Sequence, residues 1–263
     1  MKLNILVLGD IVGQPGRNII KDKLPTLVKE ENIGFAIANA ENAAGGSGVT
    51  ADVTEKLFAY GIDVITTGDH VWRKKEVIQV LETETRVLRP ANYSPMAKGR
   101  GWVVVKGHLG PDIAIINLLG RVFMSPVDCP FRAADQILEK IPQKVRVIIV
   151  DMHAEATSEK IAMGWYLDGR VSAVVGTHTH VQTADETVLP GKTAYITDLG
   201  MTGPHQSVLG RNKDHVLEHL LTQMPIRFDV ADKDVRMSGA IITVDAATGR
   251  AEGIRRLMLH ENN

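Results

Sequence analysis

"VSAVVGTHTHVQT", residues 171–183, is the stretch from which the rest of the chain is read. An apolar run enters a glycine, Gly176, and His178 and His180 follow two positions apart. In an extended chain, residues i and i+2 project to one side with Cα atoms roughly 7 Å apart, so both imidazoles can enter one cavity. There they could hold two metal ions or share one. Taken alone, the stretch reads first as a pair of histidines on a solvent-facing loop. The other apolar runs separate the two readings.

Those runs are "LNILVLG" (3–9), "FAIANA" (35–40), "VITTG" (64–68), "IAIINLLG" (113–120), "VRVIIVDMH" (145–153) and "AVVGTH" (173–178). Between them lie "GRNIIKDKLPTLVKEE", "TADVTEKLFAYG", "KKEVIQVLETE", "FRAADQILEKI" and "SEKIAMGWYLDG", whose apolar residues mostly recur at three- and four-residue spacing. Strands alternating with helices predict a layered α/β fold. Two hairpin patterns follow: "ETVLPGKTAYIT" with a Pro-Gly turn, and "SGAIITVDAATGRAEGIRRLML" with Ala-Thr-Gly between its strands. Antiparallel strands are therefore expected to finish the sheet.

The polar residues that follow the runs carry the chemistry. Strand one ends in Gly9-Asp10, and the second run leads to Asn39, Glu41 and Asn42. The third ends in Gly68-Asp69-His70, the fifth in Asp151-Met152-His153, and the last in His178-Thr179-His180. In open α/β sheets ligands sit at the carboxyl ends of strands, so these five ends are expected at one edge of one sheet. Carboxylate, amide and imidazole without thiolate are the ligand chemistry of a hard-to-borderline divalent metal.

Composition narrows the rest. The chain of 263 residues is 44% hydrophobic, enough for one substantial core, and a single domain over 1–263 is expected. Its 30 basic and 31 acidic residues leave a formal charge of −1, so no global field favours a nucleic-acid polymer or an anionic membrane. The one cysteine, Cys129, cannot form an intramolecular disulfide, which fits a reducing cytoplasm. The N-terminal apolar run is short, is broken by Asn4 and lacks a cleavage site, so it reads as a core strand. No stretch approaches the ~18 apolar residues of a membrane span.

"GDIVG", "NAENAAGG", "TGDHVW", "DMHAEATSEK", "GTHTHVQTAD" and "DLGMTGP" resemble, in order and spacing, the YmdB-like branch of the calcineurin-like metallophosphoesterases. The resemblance extends over essentially the whole chain. It implies a four-layer αββα sandwich with mixed sheets, two divalent or trivalent metal ions, and hydrolysis of phosphodiesters, with small 2',3'-cyclic nucleotides as the substrate class. Iron is the metal associated with relatives, and manganese can support activity in such sites. Carried over residue by residue, it implies Asp10, Asn42 and His180 on the first metal, Asp69, His153 and His178 on the second, and Glu41 bridging. His70 matches the family's proton donor. Metals ~3.5–4 Å apart can share a hydroxide and neutralise phosphate oxygens; a histidine acid can then protonate the leaving alkoxide. A weaker expectation is a homo-oligomer.

Three positions depart from the wider superfamily. Val12 stands where a histidine is usual and Glu41 where a bridging aspartate is usual, both normal for this branch. Asp69 stands where the family has asparagine, adding a carboxylate to the pocket. That departure keeps open a second reading, a metal-binding regulatory scaffold with little turnover.

Other features carry less. Gly9, Gly13 and Gly16 follow a strand and precede a helix, but their spacing is not that of a dinucleotide loop, and Asp10 would repel a pyrophosphate. Arg17 is either a phosphate contact or an exposed helix-start arginine. His215 and His219 share a helix face without the glutamate of a His-Glu-x-x-His motif. His205 lies in a loop that the resemblance places near the cleft, whereas His108 and His260 read as surface residues. Asp151 and Glu155 are candidates to orient the His153 ring, or to cap the following helix.

Overall fold

Alternation along residues 2–8 assigns the layers. Leu3, Ile5 and Val7 join one buried cluster, whereas Leu6 and Leu8 join another on the opposite face, the two-residue period of a strand covered on both sides. The computed structural model describes residues 1–107 and 110–261; His108 thus lies outside the described residues.

In chain order the strands are β1 (Lys2–Leu8), β2 (Asp10–Ile11), β3 (Ile33–Asn39), β4 (Val64–Thr66), β5 (Trp102–Lys106), β6 (Asp112–Leu119), β7 (Val147–His153) and β8 (Ala173–Thr177). They continue as β9 (Thr187–Val188), β10 (Ala194–Ile196), β11 (Met201–Pro204), β12 (Val235–Asp245) and β13 (Ala251–His260). The helices are α1 (Gly13–Glu30), α2 (Ala51–Ala59), α3 (Val77–Thr83), α4 (Pro130–Leu138), α5 (Thr157–Tyr166) and α6 (Lys213–Thr222). A first, seven-stranded sheet runs β2-β11-β12-β1-β3-β4, with β13 also on β12. The second runs β5-β6-β7-β8-β10-β9. Both are mixed: β1, β3 and β4 are parallel, as are β6, β7, β8 and β10, whereas β12, β13, β5 and β9 pair antiparallel.

Three apolar clusters separate four layers. Helices α1, α2 and α3 pack on the outer face of the first sheet through Ile20, Leu24, Leu57 and Val80. The two sheets face each other through Ile5, Phe35, Ile37, Ile115, Ile149 and Val175. Helices α4 and α5 cover the second sheet through Ile137, Met163 and Leu167. The αββα sandwich is therefore the observed architecture. No helix among the described residues is long and apolar enough to cross a membrane.

One expectation needs correction. The five polar strand ends do not lie on one sheet: β1, β3 and β4 belong to the first sheet, β7 and β8 to the second. Apolar runs look alike whichever sheet they enter, because both sheets are covered on both faces. The hairpin strands also do more than finish an edge, since β12 pairs with β1 over Lys2–Leu8 and lies inside the first sheet.

Candidate metal centre

Each strand of the two parallel sets delivers its last residues to one end of the sandwich. In the second sheet Leu119 is level with His153 and His153 with Thr177; in the first, Asn39 is level with Thr66. The loops that follow close over the joint between the sheets. Gly68 permits the closest approach: a Cβ there would lie 2.2 Å from His153 Nε2 and 2.3 Å from Glu41 Oε2.

The structure brings together the ligand candidates and the candidate proton donor singled out from the sequence. One ligand atom each from Glu41, Asp69, His153 and His178 lies within 4.8 Å of the others. Within that group His153 Nε2 is 3.2 Å from Glu41 Oε1 and 3.3 Å from Asp69 Oδ1, and His178 Nδ1 is 3.0 Å from His153 Nε2. Beside it, His180 Nε2 stands 3.7 Å from Asp10 Oδ1 and 3.2 Å from Asn42 Nδ2. Asn42 Nδ2 donates to Glu41 Oε1 at 3.2 Å, so Glu41 joins the two groups. His70 lines the same cleft, its Nδ1 2.8 Å from Asn42 Oδ1. Ligation by Asn42 through oxygen therefore requires its amide to turn over.

Hydrogen bonds select the ring nitrogens that face the cluster. Thr177 Oγ1 gives its proton to Asp151 Oδ1 at 2.7 Å, so at 2.9 Å it accepts from His153 Nδ1, which leaves Nε2 as the ring nitrogen that faces Glu41 and Asp69. His180 Nδ1 donates to Leu209 O at 3.1 Å, which directs Nε2 to Asp10. His178 reverses the pattern: Nε2 lies 3.3 Å from Glu155 Oε2 and Nδ1 faces the cluster. Glu155 thus orients His178 rather than His153, and Asp151 acts on His153 through Thr177.

The charge in the cleft suits a cation. Burial raises the Asp10 carboxyl above its ordinary range, and Oδ1 has no hydrogen-bond partner. Burial works in the same direction at Glu41 and Asp69. There it is overcome: His153 and His70 hold Glu41, and His153 and His178 hold Asp69, well below the usual range. Burial disfavours a charged His153, yet Glu41 and Asp69 raise its pKa well above the ordinary value. Carboxylates set against imidazole nitrogens form a donor set that a divalent ion can satisfy in place of protons. The residues present fit a metal.

The His178-Thr179-His180 turn differs from the extended geometry expected of it. β8 ends at Thr177, and His178 and His180 have φ of +98° and +65°, a region that costs a non-glycine residue about 1–3 kcal/mol. Buried groups hold the turn. His178 N donates to Asp10 Oδ2 at 3.0 Å. Thr179 N and Oγ1 donate to Asp198 Oδ2 at 3.1 and 2.7 Å, and Lys160 Nζ donates to the same oxygen at 2.7 Å. Lys160 and Asp198 have side chains 1% and 0% exposed.

The model of the family described as YmdB-like protein matches residues 6–257. The chain belongs to the YmdB-like family. It is 44% identical over 261 residues to a protein of Bacillus subtilis (strain 168) named 2',3'-cyclic-nucleotide 2'-phosphodiesterase, covering 99% of this chain and 98% of that one. A crystal structure of a hypothetical protein from Thermus thermophilus superposes with a TM-score of 0.91 at 39% identity, covering 98% of this chain and 100% of that one. A crystal structure described as a novel phosphatase from Mycoplasma pneumoniae gives 0.93 at 32% identity, covering 99% and 94%.

Several parts of this YmdB-like cleft carry no signal in the sequence. Leu209 and Arg211 line it, and among its lining residues Arg211 is the only lysine or arginine. Arg211 bonds the carbonyls of Gly46 and Phe228. Lys160 and Asp198 sit inside "DMHAEATSEK" and "DLGMTGP", but nothing local marks either as a partner of the turn. Arg17 bonds the Ala43 carbonyl and so acts as a loop tie. His205 bonds the Gly203 carbonyl and is not among the cleft-lining residues. His215 and His219 sit near Asp229 and the Met224 carbonyl, and His260 near Asp234.

Removing one partner of a buried ion pair leaves the other charge uncompensated, at about 3–5 kcal/mol. Lys160→Met should lower stability by that amount, and adding Asp198→Asn should restore part of it. Urea unfolding of both variants measures this; an unchanged midpoint in Lys160→Met would show that the pair does not support the turn.

Proposed function

We propose that this chain is a metal-dependent phosphodiesterase that hydrolyses 2',3'-cyclic nucleotides in the cleft between Asp10 and His180. One observation carries the reading: donor atoms of Glu41, Asp69, His153 and His178 converge within 4.8 Å, beside a buried Asp10 oxygen that no protein group satisfies. The 44% identity to a protein named 2',3'-cyclic-nucleotide 2'-phosphodiesterase supports the substrate class. Asp10, Asn42 and His180 would hold one ion, Asp69, His153 and His178 a second, with Glu41 between them; iron and manganese are the metals to test. Two ions held together lower the pKa of a water and neutralise charge building on phosphate oxygens.

The remaining tasks fall to side chains. His70 accompanies Asn42 at the mouth of the cleft, with Nδ1 toward Asn42 Oδ1 and Nε2 3.7 Å from Asp69 Oδ2. A hydrogen bond to Glu41 raises its pKa above the ordinary value, against partial burial. In its charged form it carries the proton that a departing ribose oxygen needs. Arg211 places a positive charge where an anionic substrate enters. Asp69 works against that charge, since a carboxylate in place of the amide that the family resemblance implies lowers the site's net positive charge while strengthening its hold on a cation.

Purified protein should contain about two metal ions per chain by elemental analysis and lose turnover of 2',3'-cyclic nucleotides when they are stripped; full activity without metal would sink the mechanism. Asp69→Asn should weaken retention of the second ion while keeping or raising turnover in excess metal. Metal titration checks this, and an unchanged second affinity would remove Asp69 from the ligand set. An inactive wild type that gains activity as Asp69→Asn would instead favour the scaffold reading.

His70→Ala should leave both metals bound and slow turnover by roughly 10²–10⁴, the range for loss of a general acid. The loss should shrink for nitrophenyl phosphodiesters, whose leaving group needs little protonation. Equal losses on good and poor leaving groups would assign His70 to substrate positioning.

A further inference from the structure

A second cavity, of about 490 Å³, opens between α4 and the edge strand β5, and none of its lining residues belongs to the metal cleft. Its charge is unlike that of the chain. Arg89, Arg100, Arg132 and Lys140 line it with Asp128 as the only carboxylate, in a protein whose formal net charge is −1. Arg132 and Gln136 lie one helical turn apart on α4, and Lys140 follows just past the helix's last residue, Leu138. Arg100, at the entry to β5, lines the same cavity.

Arg89 is the unusual member. It is 6% exposed, and its guanidinium donates to the carbonyls of Lys98 (3.0 Å), Pro90 (2.7 Å) and Ala97 (3.1 Å). These carbonyls satisfy donors of the guanidinium but supply no counter-charge. No carboxylate pairs with Arg89 among the described residues, and burial lowers its pKa. A buried charge without an opposite partner is costly unless something compensates it. An anion in the cavity would do so, and guanidinium groups match the fork geometry of a phosphate.

The walls add a planar element. Trp102 and Tyr93, both half-buried, line the cavity, and Tyr93 is held edge-on against Trp72 at 5.8 Å between ring centroids. The volume lies in the ~300–1,000 Å³ range of small-molecule sites. We propose that this cavity binds a nucleoside monophosphate, its phosphate on the arginines and Lys140 and its base against Trp102 and Tyr93. The site is independent of the phosphodiesterase reading and stands or falls separately.

Cys129 supplies a reporter, because it lines the cavity and is the chain's only cysteine. Burial opposes ionisation of its thiol, but N–H groups of Phe131 and Arg132 and the charges of Arg121 and Arg132 lower its pKa, as expected at a helix N-terminus. The rate of Cys129 alkylation by iodoacetamide, followed by intact-protein mass spectrometry, reads occupancy directly. AMP should slow alkylation saturably, inorganic phosphate should do so only at higher concentration, and adenosine should have no effect. Arg100→Glu, on an exposed side chain, should raise the half-protecting AMP concentration about tenfold or more, as for loss of a charged hydrogen bond. The proposal is overturned by any of four results: no protection by millimolar AMP, equal protection by adenosine, phosphate protecting as well as AMP, or an unchanged AMP response in Arg100→Glu.

Discussion

Asp10, Glu41 and Asp69 crowd the joint between the two sheets, and like charges a few ångströms apart cannot all ionise unless positive charge is interleaved with them. Asp10, Glu41 and Asp69 are placed so that every close neighbour able to carry positive charge is an imidazole: His153 between Glu41 and Asp69, His180 against Asp10, His178 against Asp69. This constraint explains why the site spans two sheets. The first sheet supplies all three acids and His70, and the second supplies the three imidazoles that oppose them. Neither sheet alone could present such a charge pattern. Their packing, through the apolar residues between them, is therefore also what assembles the chemistry.

Holding the imidazoles requires a second layer of buried polar groups. Asp151, fully buried and with its carboxyl pushed by burial up to about 6, reaches Thr66 on one sheet and Thr177 on the other. Thr177 in turn sets the proton on His153. Asp198 accepts from Lys160, Thr179 and Gly200, and so fixes a turn whose backbone is unfavourable for histidine. Buried ionic and hydroxyl networks of this kind are valuable only when every member is satisfied. Here they hold His153 and His178 directly against the acids of the opposite sheet. Asp10 completes the tie by accepting from His178 N across the joint.

Much of this is legible in the order of residues. Each strand that carries a candidate ligand announces itself by an apolar run ending in a small polar cluster, and the mixed apolar spacing of 16–31 or 131–141 marks helices directly. The candidate ligands Asp10, Glu41, Asn42, Asp69, His153, His178 and His180, and the candidate proton donor His70, can be picked out the same way, and the fold gathers them at one joint. The edge strand β5 gives no such signal: "WVVVK" lacks a polar ligand at its end and follows a long irregular stretch. The second cavity is equally silent, because Arg89, Arg100, Arg132 and Lys140 are scattered along the chain and no spacing rule connects them. Arg211 is hidden for the same reason, lying far in sequence from the ligands it overlooks.

The sequence by itself determined which side chains could serve, because period-two and helical patterns are local and a carboxylate or imidazole keeps its chemistry wherever it is placed. It also determined that Asp69 adds a third carboxylate to Asp10 and Glu41. The tertiary structure alone decided that five strand ends belong to two sheets, that Glu155 orients His178 while Thr177 orients His153, and that Lys160 supports a turn outside its own helix. Those relations depend on which buried groups face each other across a packed joint, and burial and pairing are properties of the folded chain.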